Sequence, residues 1–173
     1  MTALKVRLRN ISWKLLIAPL FLAVVLDQLS KLMILAALQV GEVLEIIPGF
    51  FNLTLHFNKG AAFGLFAGLE DGFRQLVLGG FSKIAILMLL VFLVYEFHES
   101  KRGQFCIGLI LGGALGNIID RVYRGEVVDF LDFYIVNYHW PAFNIADSCI
   151  CIGVFTLILF ESRGADKKQI KAV

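Results

Sequence analysis

Four long apolar segments dominate this chain: Trp13–Ala37, Phe73–Phe97, Gln104–Ile119 and Pro141–Phe160. Each is near the roughly 20 residues that a helix needs to cross the hydrocarbon core of a bilayer, the third being the shortest. Of the 173 residues, 58% are hydrophobic and only 17% are charged. A soluble domain of this length cannot hide that much apolar surface, so lipid is the expected solvent for much of the chain. The length fits a single integral membrane domain over residues 1–173. The first segment is too long for the apolar stretch of a secretory signal. It also lacks a small-residue cleavage pattern and contains Asp27 and Lys31, so it is expected to be a retained helix.

Positive charge gives the segments an orientation. Lys5, Arg7, Arg9 and Lys14 precede or open the first segment, Lys101 and Arg102 lie between the second and third, and Arg163, Lys167, Lys168 and Lys171 follow the fourth. These ten of the sixteen Lys and Arg residues fall in stretches that alternate onto one side of the membrane. That side is expected to be the cytoplasm, with both termini in it. The expected fold is therefore all-α: four transmembrane helices, with Leu38–Gly72 and Asp120–Trp140 facing outward. The net charge of +2 and the absence of a basic stripe argue against nucleic acid as a partner.

The outward segments have strand character. Phe51 to Phe57 alternates apolar and polar residues after a Pro48-Gly49 turn signal. Val127 to Tyr138 is rich in β-branched and aromatic residues suited to a membrane interface. A small β-sheet resting on the outer surface is expected. In the third segment, Gly108, Gly112 and Gly116 recur every four residues, marking a helix face that a second backbone can approach closely. Cys106, Cys149 and Cys151 lie in apolar runs without a CxxC pair, and read as small hydrophobes rather than disulfide partners or metal ligands. No cysteine near the N-terminus follows a lipoprotein cleavage motif, so the chain is not expected to be a lipoprotein itself.

Ionisable residues at membrane depth are the informative ones. Asp27 and Lys31, four apart, share a helix face in the outer half of the first segment and can pair. Asn117, Asp120 and Arg121 close the outer end of the third segment. Asn144 and Asp147 open the fourth, Asp129 and Asp132 lie in the outer segment between, and Asn58 and Lys59 in the first outer segment. Nearly every anomalous polar residue thus converges on one side, near the boundary of lipid and water. The set contains several carboxylates, no serine with a suitably placed histidine, and no zinc motif. Three readings remain open at this level. Two aspartates could share one proton and run aspartyl-protease chemistry, one activating water while the other hydrogen-bonds the scissile carbonyl. The carboxylates could instead pair with Lys31, Arg121 and Arg124 to hold helices together. They could also form a proton or ion pathway in a small transporter, although the chain shows no internal repeat of the kind transporters usually carry.

Five stretches go further. They are Asp27-Gln28-Leu29-Ser30-Lys31, Asn58-Lys59-Gly60-Ala61-Ala62-Phe63, Gly112 through Arg121, Val127-Val128-Asp129-Phe130 and Phe143-Asn144-Ile145-Ala146-Asp147-Ser148. In order and spacing they resemble the lipoprotein signal peptidase (signal peptidase II) family along most of the chain. The resemblance implies that Asp129 and Asp147 are the catalytic pair. It implies that Asn58, Gly60, Asn117, Arg121 and Asn144 line the site, and that Asp27, Lys31 and Asp120 support it. The implied substrate is a prolipoprotein whose Cys already carries diacylglycerol, cut just before that Cys. The implied setting is the bacterial cytoplasmic (inner) membrane, with the site at its outer, periplasmic face. No metal or cofactor is implied, and cyclic peptide antibiotics such as globomycin are implied inhibitors.

Two residues fall outside that pattern. Lys83, in the second segment, is expected either to snorkel outward or to pair inside the bundle. Asp132, three residues from Asp129, is expected to be structural.

Overall fold

The computed structural model describes residues 2–60, 68 and 70–170. In chain order the elements are α1 (Ala3–Asn10), α2 (Trp13–Ala37), β1 (Val43–Ile47), β2 (Phe51–Asn58), α3 (Asp71–Tyr95), α4 (Lys101–Arg124), β3 (Val127–Ile135), β4 (Tyr138–His139) and α5 (Ile145–Ile170). Among the described residues, Trp13–Ala37, Leu76–Tyr95 and Lys101–Arg124 are long and apolar enough to cross a membrane, and Ile145–Leu159 is a shorter apolar helix. The outward faces of α2 and α3 are apolar, with Phe21, Leu22, Met33, Leu76, Phe81 and Leu87 all exposed.

α4 is the central helix, and its glycines explain why. A Cβ at Gly112 would sit 2.6 Å from the Leu20 carbonyl oxygen, and one at Gly116 would sit 2.5 Å from Asp27 Oδ2. A Cβ at Gly108 would collide with the Leu16 carbonyl. Gly108, Gly112 and Gly116 therefore meet α2 in ascending order, and the two helices run parallel in close contact. Gly113 on the opposite flank lies against the Ala146 carbonyl of α5. At the other end of the bundle, Ile11, Leu16, Leu93, Ile107 and Leu111 form an apolar cluster that binds the last turns of α3 to α4.

The chain enters the sheet from the C-terminal ends of α2 and α4 and leaves it into the N-terminus of α5, so the sheet caps one end of the bundle. Its strand order is β1-β2-β3-β4, with β1–β2, β2–β3 and β3–β4 each antiparallel. Ile34, Leu55, Val128 and Phe130 pack the sheet onto α2.

The expected strands at Phe51–Phe57 and Val127–Tyr138 are present, and β1 joins them unannounced. The third apolar segment is longer than the expected Gln104–Ile119. Ser100 accepts a hydrogen bond from the Gly103 amide at 3.0 Å to open α4, and Gly125, at φ 80°, ends it in the left-handed conformation. Between these caps the helix carries Asp120, Arg121 and Arg124 because their charges are met within the fold. The fourth segment starts later than expected. Pro141–Asn144 precedes the helix, with Phe143 bridged to Leu131, and the helix begins at Ile145. Lys83 is on the exposed surface of α3, which rules out pairing inside the bundle. Ala61–Phe63 and Lys171 lie outside the described residues.

Candidate active site

The site is assembled where α2, α4, α5 and the sheet meet. Its base is a buried ion cluster. Lys31 Nζ lies 2.8 Å from Asp27 Oδ2, one turn earlier on α2, and 2.8 Å from Asp120 Oδ2 on α4. All three side chains are fully buried. Burying charges is costly unless each is paired and hydrogen-bonded, and here the remaining valences are filled. Asp27 Oδ1 accepts from the Ala146 amide at 2.9 Å, which ties α2 to the first turn of α5. Asp120 Oδ2 accepts from the Val128 amide at 3.2 Å, and its Oδ1 from Arg124 at 2.6 Å. Gln28 donates to the Gly116 carbonyl, Asp27 and Asp120. Two acids and two bases thus form a closed set.

Lys31 makes one further bond, to Asn117 Oδ1 at 3.1 Å. This leads into the second layer. Asn117 Nδ2 donates to Asp147 Oδ1 at 2.8 Å. Asn144, fully buried, donates through Nδ2 to Asp129 Oδ1 at 2.7 Å and to Asn117 Oδ1 at 3.2 Å. Asn144 Oδ1 accepts from the Asp147 amide at 2.9 Å. That last bond is an N-cap: the side chain satisfies a free amide in the first turn of α5 and fixes Asp147 on it. Asp129 Oδ2 accepts from Asn58 Nδ2 at 3.0 Å, and Asn58 Oδ1 accepts from the Gly60 amide at 2.9 Å. Arg121 donates to the Gly60 carbonyl at 3.2 Å and feels the charges of Asp147, Asp129 and Asp120.

Two kinds of carboxylate result. Asp27 and Asp120 are ion-paired and saturated. Asp129 and Asp147 are held by asparagine amides and, among the described residues, form no ion pair. Burial pushes the Asp129 carboxyl up to about 6. The Asn58 hydrogen bond opposes that rise, and the nearby Asp147 charge adds to it. This is the behaviour of a carboxyl taken out of water beside a like charge. A pair of this kind can hold and move one proton near neutral pH.

All ten candidate residues from the sequence fall in this one network: Asp27, Lys31, Asn58, Gly60, Asn117, Asp120, Arg121, Asp129, Asn144 and Asp147. Asp132 stands apart. It accepts from Asn52 at 2.9 Å and lies 2.9 Å from His139 Nδ1. The sequence reading assigned no role to Gln28, although an amide at membrane depth beside Asp27 was a signal for it. It also missed His56, which is directly across the β2–β3 ladder from Asp129.

Fold and site together define a membrane-embedded enzyme. Two solved structures of bacterial membrane enzymes, both obtained in meso, share the architecture. One has a TM-score of 0.80 at 36% identity, covering 91% of this chain and 93% of that one. The other has a TM-score of 0.76 at 37% identity, covering 86% and 93%. Residues 20–162 match the family model for signal peptidase (SPase) II. The lipoprotein signal peptidase of Syntrophotalea carbinolica is 44% identical over 155 residues, 90% of this chain and 94% of that protein. That of Cupriavidus necator is 47% identical over 142 residues, 82% and 79% of the two chains. The chain belongs to the signal peptidase II family.

Proposed function

We propose that this chain is a single-domain aspartyl endopeptidase that removes signal peptides from prolipoproteins, with Asp129 and Asp147 as its catalytic pair. The observation that carries the reading is the contrast between the two sets of carboxylates. Asp27 and Asp120 are neutralised by Lys31 and Arg124. Asp129 and Asp147 lack such partners among the described residues and are joined through Asn144. Structural ion pairing accounts for the first set and leaves the second unexplained.

In the proposed reaction the pair shares one proton. Asp129 holds it and donates a hydrogen bond to the scissile carbonyl. Asp147, ionised, takes a proton from the attacking water. Oxygen adds to the carbonyl carbon, and the tetrahedral intermediate is stabilised by the Asp129 proton. Collapse of the intermediate breaks the C–N bond, and the proton gained by Asp147 goes to the leaving amine. Asn58, Gly60, Asn117, Arg121 and Asn144 hold substrate and carboxylates in register. Asp27, Lys31 and Asp120 keep the helices that carry them fixed.

The site sits at the sheet-capped end of the bundle. With α2, α3, α4 and α5 as four spans in the bacterial inner membrane, the positive residues put both termini in the cytoplasm and the site at the periplasmic face. A reporter fused after Lys101 should then read cytoplasmic and one after Gly125 periplasmic. A cytoplasmic signal at the second position would overturn this orientation. Cyclic peptides such as globomycin would compete for the same site.

The bond cut is the one before a Cys that carries diacylglycerol. An acyl chain contributes about 0.8 kcal/mol per buried CH₂, so two chains hold that Cys at the depth of the site and keep the bond in reach. Purified enzyme in lipid, given matched precursors with and without diacylglycerol, should cleave only the lipidated one efficiently. Equal cleavage of both would refute lipid-based selection and favour a general membrane aspartyl protease.

A further inference from the structure

Beside Asp129 lies a cavity of about 760 Å³, lined by β1, β2, β3, β4 and the linker into α5. The size is within the roughly 300–1,000 Å³ of pockets that enclose small ligands, enough for a few residues of extended chain. Its walls include Thr54, His56, Lys59, Asp132, His139 and Trp140. None of the lining residues belongs to α2, α3, α4 or α5.

Asp129 and Asp132 are three apart on β3 and in a regular strand would face opposite sides. Here they line one cavity, and the backbone gives the reason. The amides of Phe130 and Leu131 both donate to the Phe143 carbonyl, at 3.0 and 2.8 Å. Two residues facing one is the pairing of a β-bulge, which re-aims the side chains beyond it. Asp132 is then fixed in the lining of the same cavity as Asp129. Asn52 donates to it, His139 Nδ1 lies 2.9 and 3.0 Å from its two oxygens, and the His139 ring stacks on Tyr134 at 4.8 Å with planes 7° apart. The cavity lining therefore presents two carboxyl groups, Asp132 oriented by Asn52 and His139, and Asp129 of the candidate dyad.

Resting on the peptidase reading above, we infer that this cavity holds the residues that follow the lipidated Cys, and that the Asp132–His139 pair selects there against acidic side chains. The upstream side of the substrate is an apolar signal helix. It has to lie along lipid-facing helices, and so do the two acyl chains. A cavity walled by the sheet and its connecting segments, away from the helices and with charged groups among its lining residues, suits neither. It suits the chain that leaves Asp129 in the other direction, towards water. An acidic residue placed there meets the Asp132 carboxylate. A lysine, or a neutral donor such as serine, meets acceptors.

Three lipidated precursors with Lys, Ser or Asp at the second and third residues of the mature chain test the inference. Wild-type enzyme should show kcat/KM about tenfold higher for the Lys than for the Asp precursor, mostly through KM, as expected for a like-charge clash at a binding surface. Asp132→Asn should reduce that ratio below threefold. A second measurement needs no change at Asp132. A photoreactive residue at the third mature position, in a precursor held uncut by Asp147→Asn enzyme, should crosslink to β2 or to His139–Ala142. The same probe in the signal helix should crosslink to the bundle. Equal rates for the three precursors, or a ratio unchanged by Asp132→Asn, would overturn the selectivity. Downstream crosslinks confined to α2–α5 would overturn the assignment of the cavity. If wild-type enzyme cuts none of the precursors, the peptidase reading itself fails.

Discussion

Asn144 donates a 2.7 Å hydrogen bond to Asp129, fifteen residues away and on another element. Through its other atom, Oδ1, the same side chain caps the α5 amide of Asp147. One residue therefore sets the position of both proposed catalytic carboxyls. Asn144→Leu keeps the branched shape and the number of side-chain heavy atoms and removes both bonds. A hydrogen bond to a charged group is worth about 1.5–3 kcal/mol and one to a backbone amide about 0.5–1.5 kcal/mol, and positional errors at a catalytic pair are amplified in rate. We expect kcat to fall about 100-fold or more while the protein still inserts and folds. Steady-state assays beside a thermal melt check this. A variant within threefold of wild-type kcat would show that Asn144 does not position the pair.

Lys31 gives a prediction of the opposite kind, dominated by stability. Lys31→Met leaves Asp27 and Asp120 facing each other in the interior, with Arg124 the one remaining cation of the cluster. Breaking a buried pair by removing one partner costs about 3–5 kcal/mol. For a chain of this size that corresponds to roughly 6–20 °C in Tm. Thermal unfolding in detergent reads it directly, and a shift below 2 °C would contradict the buried cluster.

Much of this arrangement was legible in the sequence, for reasons that differ by element. The Asp27–Lys31 pair follows from four-residue helical spacing. The α2–α4 contact follows from Gly108, Gly112 and Gly116 at the same period. β2 is visible because its alternation marks a half-buried strand. β1 was not visible. All five of its residues are exposed, so no burial period marks it, and it exists through pairing with β2. α1 was missed because eight residues are too few to form a stable helix alone. It rests on tertiary contacts, among them Arg7 lying 4.8 Å over the Tyr95 ring. The end of α4 was misplaced because Asp120, Arg121 and Arg124 look like a helix stop in an apolar chain. The partners that let the helix continue, Lys31 for Asp120 and the Gly60 carbonyl for Arg121, come from distant segments. The asparagine relay from Lys31 through Asn117 to Asp147 joins three helices, and no single-segment pattern reveals it.

The Asp129 carboxyl also fixes a pH dependence. Its value of about 6 lies above that of an ordinary aspartate, so the resting enzyme loses the shared proton as pH rises through that region. The two carboxyls titrate as a pair. The profile of kcat/KM reports the free enzyme, and that of kcat the bound complex. We expect kcat/KM to decline above about pH 6. The decline in kcat should set in at higher pH, because bound substrate excludes water and raises the carboxyl further. Rate measurements from pH 5 to 9 in one lipid check this, and a kcat/KM flat across that range would contradict the proton assignment.

The most direct test is the activity of three single substitutions on one lipidated precursor. Asp129→Asn and Asp147→Asn each remove one of the two protonation states the mechanism needs. Asp132→Asn changes a carboxylate whose described partners are Asn52 and His139. With insertion and folding verified by thermal melts, we expect the first two variants to lose at least 1,000-fold in kcat, on the order of a missing catalytic acid or base, and Asp132→Asn to keep at least a tenth of wild-type activity. An active Asp129→Asn or Asp147→Asn enzyme would contradict the proposed dyad.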